Sequence, residues 1–278
     1  MTSADLIYHD QLADLSPLTK DDVIGGRLKL LQPKTGYRIS MDTVLLAATI
    51  NAKPGDKVLE AGTGSGCASL CVAWRCPDVS VTGVELQSSM VALARENVLL
   101  NGMEDRISIV EGDITNPCET LPNQSFDHVF ANPPYIEKGC GLRAPALSKG
   151  IAHMDTTATL RDWVTFCLKK VKQKGTVSFV FRADRVDSII RAMGKQVGDI
   201  TLCPLWPRDG TPAKRILIQA RKEVHGVFAI SAGLALHGEV DRYTKEAELV
   251  LREGYGIDLG RARRHEQGLL VPPSNNDY

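Results

Sequence analysis

Apolar and polar positions along this chain follow two periods in turn, and their alternation predicts short strands separated by amphipathic helices. The apolar runs are bounded by Gly, Pro, Asn or Asp, which favours strands at those places. The predicted strands cover residues 57–62, 79–86, 106–113, 126–135, 176–182, 200–206 and 214–222. The predicted helices cover MDTVLLAATI, CASLCVAWRC, SSMVALARENVLLNG, TLRDWVTFCLKKVKQKG and ADRVDSIIRAMGK.

Strands that alternate with helices of about 10–15 residues form a parallel sheet with helices on both faces. The last two strands are joined by a short loop that contains Pro and Gly, so they should add an antiparallel edge. Ahead of the first helix, alternating apolar positions such as Leu28 and Leu30 predict a hairpin or short strands. We therefore predict an α/β fold: a doubly wound, seven-stranded, mostly parallel sheet with a short N-terminal extension.

The first chemical motif is a glycine loop, residues 60–66 (EAGTGSG), which follows a predicted strand and opens a helix. Glycines allow close approach of a ligand to the backbone, but NAD-binding folds share this pattern. Glu60 would repel a pyrophosphate and attract the ammonium group of an amino acid. Glu85, at the end of the second strand, can accept hydrogen bonds from ribose hydroxyls. Together the two carboxylates favour S-adenosylmethionine over NAD.

Further cofactor contacts are predicted at the ends of the next strands. Asp113 closes the third strand, where a carboxylate can meet the amino group of an adenine ring while Ile114 donates its backbone N–H. The alternative for Asp113 is an Asx-turn or a helix cap. The other residues assigned to the cofactor are Gly62, Thr63, Gly64 and Gly66 of the loop, and Leu86.

The fourth strand ends in Asn132-Pro133-Pro134-Tyr135, at the edge where open α/β sheets bind ligands. The two prolines stiffen the turn and lack N–H donors, so its carbonyl groups are free to accept. The Asn132 side-chain oxygen and the Pro133 carbonyl can accept both N–H bonds of an exocyclic amino group, which aims its lone pair at a methyl donor. The Tyr135 ring offers a face on which a planar base can stack, worth about 1–3 kcal/mol.

The order and spacing of these motifs over about residues 25–222 resemble class I S-adenosylmethionine-dependent methyltransferases that methylate amino groups. The segments GGRLKLLQPKTGYRISMDTVLLAA, WPRDGTPAKRILIQARK and YTKEAELVLREG are similar to the adenine-N6 methyltransferases that modify the anticodon loop of valine tRNA. The resemblance implies methyl transfer to N6 of an unpaired adenine in tRNA, splayed into the pocket, with S-adenosylhomocysteine as product. It also implies that Asp42 lies beside the cofactor.

Three domain segments follow from this resemblance. Residues 1–52 form the N-terminal extension, a hairpin and helix that would cover the cofactor or substrate, residues 53–222 the catalytic domain, and residues 223–278 a strand and helix that complete it, with a tail. Protein-glutamine N5-methyltransferases of peptide release factors share Asn-Pro-Pro-Tyr and are the alternative, although they usually carry a longer helical N-terminal domain. DNA adenine methylases usually add a target-recognition domain, for which we see no room. A non-enzymatic RNA-binding scaffold is weaker, because every catalytic position is filled.

Charge is segregated along the chain although it sums to zero, with 33 Lys and Arg against 33 Asp and Glu. Residues 60–139 hold 4 basic and 11 acidic residues, whereas residues 140–195 hold 11 basic and 4 acidic ones. The basic stretch begins after Asn-Pro-Pro-Tyr, where RNA phosphates would need cations. A solvated helix face is the other interpretation. The candidate substrate contacts in this stretch are Arg143, Lys149 and Lys172.

The remaining features favour a cytoplasmic protein. No apolar run reaches the roughly 18–20 residues of a membrane span, and the acidic N-terminus lacks a secretory pattern. The seven cysteines form no CxxC pair and are expected to be buried thiols rather than metal ligands. His128 and Trp163 are expected in the core. The sequence leaves a monomer and a homodimer equally open.

Overall fold

A computed structural model of the chain describes residues 15, 17–36, 38–116, 121–134, 158–238, 242–264, 266 and 268–274. The N-terminal elements are β1 (Leu18–Val23), β2 (Leu28–Pro33) and α1 (Met41–Ala48). The central elements are β3 (Lys57–Ala61), α2 (Cys67–Arg75), β4 (Ser80–Glu85), α3 (Ser88–Leu100), β5 (Ile107–Glu111), β6 (Phe126–Ala131), α4 (Leu160–Lys170), β7 (Val171–Arg182), α5 (Val186–Met193), β8 (Val197–Arg208) and β9 (Arg215–Lys222). The C-terminal elements are β10 (Ala229–Ile230), β11 (Leu234–His237), α6 (Lys245–Leu251), β12 (Gly256–Ile257), α7 (Leu259–Arg263) and β13 (Leu270–Val271). None of the helices described is long and apolar enough to cross a membrane.

The central sheet confirms the predicted doubly wound architecture. Over the described residues its strand order is β10-β8-β9-β7-β6-β3-β4-β5, with β11 also paired to β8. Strands β5, β4, β3, β6 and β7 are parallel to their neighbours in that series, and β9 is antiparallel to both β7 and β8. The carboxyl ends of the parallel strands therefore share one edge of the sheet.

The antiparallel pair β8 and β9 does not form the edge that the sequence predicts. Strand β9 lies between β7 and β8, and β8 is covered by β10 and β11, which run parallel to it. The two covering strands contain two and four residues, too few to show a clear alternation of apolar and polar positions. The sheet is therefore wider than the seven strands expected.

Helix α4 begins as predicted but ends earlier. Thr159 caps it in a reciprocal box, since its hydroxyl accepts from the Asp162 N–H while the Asp162 carboxylate accepts from the Thr159 N–H at 2.8 Å. The prediction carried the helix through VKQKG, whereas the helix stops at Lys170. Val171 already pairs with Phe126 of β6, so tertiary pairing overrides the helical preference of these lysines.

Two apolar layers fill the space on either side of the sheet. One contains the hairpin and helices α1, α2 and α3, and Leu28, Leu45 and Val58 belong to it. The other contains α4 and α5, with Trp163 and Ile189 buried in it. The N-terminal hairpin and helix thus share their core with the strands of the catalytic segment.

His128 is half-buried with both ring nitrogens partnered, and the described cysteines are buried as predicted. The His128 ring lies 2.7 Å from the Thr176 hydroxyl and 3.1 Å from the Asp56 carboxylate. Burial lowers the pKa of His128, although Asp56 acts in the opposite direction. The cysteines that the structure describes are buried and unbridged: Cys67, Cys71, Cys76, Cys167 and Cys203.

One buried side chain, Asn97 of α3, fixes the hairpin to the body of the fold. Its Oδ1 accepts from the Leu31 N–H at 2.6 Å, and its Nδ2 donates to the carbonyls of Leu31 at 3.0 Å and Ser65 at 2.9 Å. Asn101, one turn further on, repeats the pairing with Lys29 at 2.9 and 2.7 Å. Because Ser65 belongs to the glycine loop, Asn97 connects that loop to the hairpin.

Replacing Asn97 by Leu should leave the Leu31 N–H and the Ser65 carbonyl without their buried partner. We expect Asn97→Leu to lower the free energy of unfolding by about 2–4 kcal/mol, measured by urea denaturation. Leu99→Ala is the matched control on the same helix, since Leu99 is 55% exposed. The control should change stability by less than about 0.5 kcal/mol. Equally small effects would show that Asn97 does not hold the hairpin.

Candidate active site

The predicted motifs meet at the carboxyl edge of the parallel strands. Strand β3 ends at Ala61, which pairs with Val84 of β4 on one side and Ala131 of β6 on the other. Glu85 follows Val84, and Asn132 follows Ala131. The glycine loop therefore leaves the sheet between these two strand ends, where open α/β sheets bind their ligands.

Three glycines give the loop between β3 and α2 its shape. Gly62, Gly64 and Gly66 have φ angles of 71°, 55° and 82°, in the left-handed region that favours glycine. The Gly66 N–H donates to the Thr63 carbonyl at 2.9 Å, which closes the turn just before α2 begins. A Cβ on Gly62 would lie 2.5 Å from Cη2 of Trp163, so this part of the loop rests on the indole ring.

Glu60, a buried carboxylate, holds the loop from inside the fold. Its Oε2 accepts from the Thr63 hydroxyl at 2.7 Å, the Ser69 N–H at 2.9 Å and the Ser69 hydroxyl at 2.6 Å. Burial raises the pKa of Glu60 to about 7, although the bonds from Ser69 and Thr63 act to lower it. These contacts are internal and tie the loop to α2. The predicted contact of Glu60 with a cofactor ammonium stays a prediction.

Glu85 ties the end of β4 to the same loop. Its Oε2 accepts from the Gly64 N–H at 2.9 Å, and its Oε1 accepts from the N–H groups of Leu86 and Gln87 at 3.0 Å. A carboxylate offers about four lone-pair positions, so Oε2 retains about one for a further donor such as a ribose hydroxyl. Leu86, the next residue, is 47% exposed and presents apolar surface to solvent.

Asp113 forms a turn after β5. Its Oδ1 accepts from the N–H and the hydroxyl of Thr115 at 2.7 Å, and its Oδ2 accepts from the Asn116 amide at 2.7 Å. The bonds from Thr115 lower the pKa of Asp113. The Asx-turn alternative is therefore present, while Ile114 packs half-buried against the core. An adenine contact at these two residues stays a prediction.

The motif at the end of β6 is described as far as Pro134. Asn132 and Pro134 are half-buried and Pro133 is buried. The strand that carries them is fixed between β3 and β7, with Phe130 fully buried. Three other candidates lie outside the described residues: Tyr135, Arg143 and Lys149.

Lys172 and Asp42 lie at opposite edges of the sheet. The Lys172 ammonium is 2.7 Å from the Asp127 carboxylate, near the amino end of β6. That is the opposite edge of the sheet from Asn132, and the predicted substrate contact of Lys172 stays a prediction. The sequence places Lys172 in a helix, whereas it lies in the first residues of β7, where the register against β6 shifts. Asp42 does lie at the carboxyl edge, where its Oδ2 accepts from Arg215 Nε at 3.0 Å.

Sequence reasoning missed the residues that support the loop. Ser69 carries two of the three bonds to Glu60, and its only mark in the sequence is a small polar residue within an apolar helix. Trp163 was expected only as a core residue. It is buried as expected, yet it also bears on Gly62, and its indole Nε1 has no hydrogen-bond partner within the described part of the chain.

Comparisons with known proteins agree with this fold and site. Residues 36–149 match the family described as the methyltransferase small domain. The chain is 26% identical over 230 residues to a tRNA1(Val) (adenine(37)-N6)-methyltransferase of Actinobacillus succinogenes, which covers 82% of this chain and 94% of that protein. It is also 26% identical over 191 residues to the enzyme of the same name from Vibrio campbellii, covering 68% and 78%. The crystal structure of a predicted O-methyltransferase from Agrobacterium tumefaciens is 26% identical with a TM-score of 0.63, covering 75% of this chain and 94% of that one.

The order of the sheet and these matches support a class I S-adenosylmethionine-dependent methyltransferase. The two bacterial relatives share a narrower name, that of the tRNA1(Val) (adenine(37)-N6)-methyltransferases. The contacts of the site fit the cofactor. The loop glycines add no side chains between the backbone and a ligand, Glu85 retains an acceptor position, and Leu86 exposes apolar surface.

The position of Gly62 against Trp163 predicts that a methyl group there is not tolerated. We expect Gly62→Ala to be less stable than Gly55→Ala by about 1–3 kcal/mol in urea denaturation. Gly55 is the matched control, because its φ of 85° carries the same backbone strain while a Cβ there has nothing within 4 Å. An equal loss in both variants would mean that the indole ring moves aside at no cost.

Glu60 should make stability depend on pH in one direction. Burial raises the pKa of Glu60 from its usual 4.5 to about 7, so the folded chain holds the proton more tightly than the unfolded chain. The stabilisation is complete below pH 4.5 and is lost as pH rises to about 7, by roughly 3 kcal/mol. The isosteric Glu60→Gln has no titrating proton, so it does not lose this stabilisation. Between about pH 5 and about pH 8 the free energy of unfolding of the unmodified chain should therefore fall relative to that of Glu60→Gln. A constant difference over this range would contradict the raised pKa.

Proposed function

We propose that this chain transfers a methyl group from S-adenosylmethionine to N6 of adenine 37 in tRNA1(Val), an unpaired base of the anticodon loop. The observation that carries the proposal is the position of Asn132 and Pro133, at the end of β6 and level with the glycine loop across the β3–β6 pairing. The names of the two bacterial relatives support the tRNA substrate and the methylated atom.

The proposed chemistry is mainly one of positioning. The cofactor supplies an electrophilic methyl group on a sulfonium. The Asn132 Oδ1 and the Pro133 carbonyl accept the two N–H bonds of the adenine amino group, which takes its lone pair out of conjugation with the ring. Tyr135 stacks on the base and keeps the nitrogen in line with the methyl carbon. A strong base is unnecessary, because the nitrogen becomes acidic once the new C–N bond has formed.

We assign the cofactor to the other strand ends. Glu85 receives a ribose hydroxyl at Oε2, and Leu86 covers the adenine ring. Glu60 lies under the methionine end of the site, and Asp113 with Ile114 would meet the adenine edge. Asp42 reaches the cofactor only indirectly in this proposal, because its carboxylate is engaged by Arg215.

The decisive experiment offers two substrates in parallel. Tritiated methyl transfer from S-adenosylmethionine is measured with total tRNA and with purified peptide release factor, followed by mass spectrometry of the tRNA nucleosides. We expect N6-methyladenosine in tRNA1(Val) and no label in the release factor. Label in a glutamine of the release factor alone would favour the protein-glutamine methyltransferase instead.

Asn132→Ala separates chemistry from cofactor binding. Because the variant loses one of the two acceptors for the amino group, we expect transfer to fall by at least about 10²-fold. The dissociation constant for S-adenosylmethionine, measured by calorimetry, should change by less than about twofold, since Asn132 meets the substrate. Lys172→Ala, at the opposite edge of the sheet, is the control and should retain full transfer. Unchanged turnover in Asn132→Ala would refute the assigned role.

A further inference from the structure

Three large apolar side chains are exposed at the open end of the central sheet. Val227, Phe228 and Ile230 are 55%, 51% and 67% exposed, and the other large apolar residues with such exposure in the described part of the chain lie on or just before α3. The three residues belong to β10 or directly precede it, and β10 is the last strand in the order of the sheet. Exposed apolar residues that cluster in this way mark a surface for a partner. We call residues 227–230 the apolar edge.

The backbone of the apolar edge is also available for pairing. Strand β10 runs parallel to β8, with Ala229 opposite Thr201 and Ile230 opposite Leu202. The Ser231 N–H donates to the Leu202 carbonyl at 2.8 Å. Successive residues of a strand direct their N–H and C=O groups to opposite sides, so those of Ile230 face away from β8. Over the described residues, no strand pairs with this outer side of β10.

The composition of the apolar edge lacks the features that keep the edge strands of monomeric proteins apart. Such strands commonly carry lysine or proline, or twist away at a bulge. Residues 226–232 (GVFAISA) contain no charged residue and no proline. A neutral strand meets a second copy of itself without like-charge repulsion, whereas it offers no cation to the phosphates of a nucleic acid. The sequence of this edge therefore favours another copy of the same chain as the partner.

A twofold axis at Ile230 gives this pairing a consistent register. In an antiparallel pair, two opposed residues whose backbone groups face each other exchange both N–H···O=C bonds. Ile230 can form such a pair with the same residue of a second copy. The next opposed pairs are then Ala229 with Ser231 and Phe228 with Ala232, so the phenyl ring lies opposite a small side chain. Self-complementary contacts of this kind are typical of twofold homodimers.

We propose that the apolar edge pairs with the apolar edge of a second copy, which joins the two central sheets into one sheet across a twofold axis at Ile230. Strand β10 lies four strands away from β6, at about 4.8 Å per strand, so the interface is separate from the candidate active site. Strand β10 has the same direction as β6, and the two copies of β10 run in opposite directions. The carboxyl edges of the two sheets therefore face opposite ways, and each site acts on its own substrate.

The size of the apolar edge sets the strength of the dimer. The three exposed side chains supply on the order of 300 Å² per copy, about half of what each partner buries in a stable complex. The pairing is also short, because the Ala232 carbonyl accepts from Trp206 Nε1 at 3.1 Å and the chain turns back toward β8 there. The dimer is therefore a reversible one that depends on protein concentration.

Sedimentation velocity of the full chain over a range of protein concentrations tests the dimer. We expect the unmodified chain to pass from monomer to dimer with a dissociation constant on the order of 10–100 µM. Ile230→Lys places two like charges face to face at the axis, as does Ile230→Glu, so each variant alone should associate at least about tenfold more weakly. An equimolar mixture of the two variants should dimerise again, because opposite charges then face each other. This recovery also shows that both variants are folded.

The matched control is Leu99→Lys, which adds the same charge at a side chain that is 55% exposed on α3. It should associate as the unmodified chain does. An unmodified chain that stays monomeric at about 500 µM would overturn the proposal. So would association that survives in Ile230→Lys, an equal loss in the control, or a mixture of the two charged variants that stays monomeric. A dimer that transfers no methyl group to tRNA would instead count against the proposed function alone.

Discussion

The hydrogen bonds received by the Glu60 carboxylate are the constraint on which the site depends. A strand must stop and a helix must start within a few residues, and Glu60 takes donors from both the turn and the first helical residues, Thr63 and Ser69. Glu85 holds the same loop from the neighbouring strand through Gly64. Two carboxylates are thus held close to one loop, and their combined field favours a positively charged ligand. In the proposed cofactor site, a sulfonium and an ammonium near Glu60 would offset part of the cost of burying its carboxylate.

Most of the fold could be predicted because its long elements have clear periods. The strands from Lys57 to Lys222 and the helices between them are present, and the N-terminal hairpin is as well. What failed was decided by tertiary pairing. The lysines after Lys170 favour a helix by themselves, yet Val171 joins β6, and the short strands β10 and β11 form only because β8 offers an edge.

The site divides in the same way. The backbone conformation of a loop depends on residues close together in the sequence, so the positions of the loop glycines and of the acidic strand ends could be predicted from their spacing. Contacts from distant parts of the chain could not be predicted in this way, because Trp163 contacts Gly62 from a helix about a hundred residues away in sequence. Charge shows the same limit. Counting along the chain selected Lys172, which the fold pairs with Asp127 near the amino end of β6. Neither the zero net charge of the chain nor the basic stretch in its sequence describes the charge on the surface of the folded protein.

Asn97 has a consequence for how this chain can vary. It recognises the backbone of Leu31 and of Ser65, not their side chains. Position 31 is therefore open to many residue types, whereas position 97 accepts only a side chain with the same donor and acceptor. Correlated changes at positions 31 and 97 should not arise, so a search for co-varying pairs would not detect this contact. The hairpin can drift in sequence while its attachment to the cofactor loop stays the same.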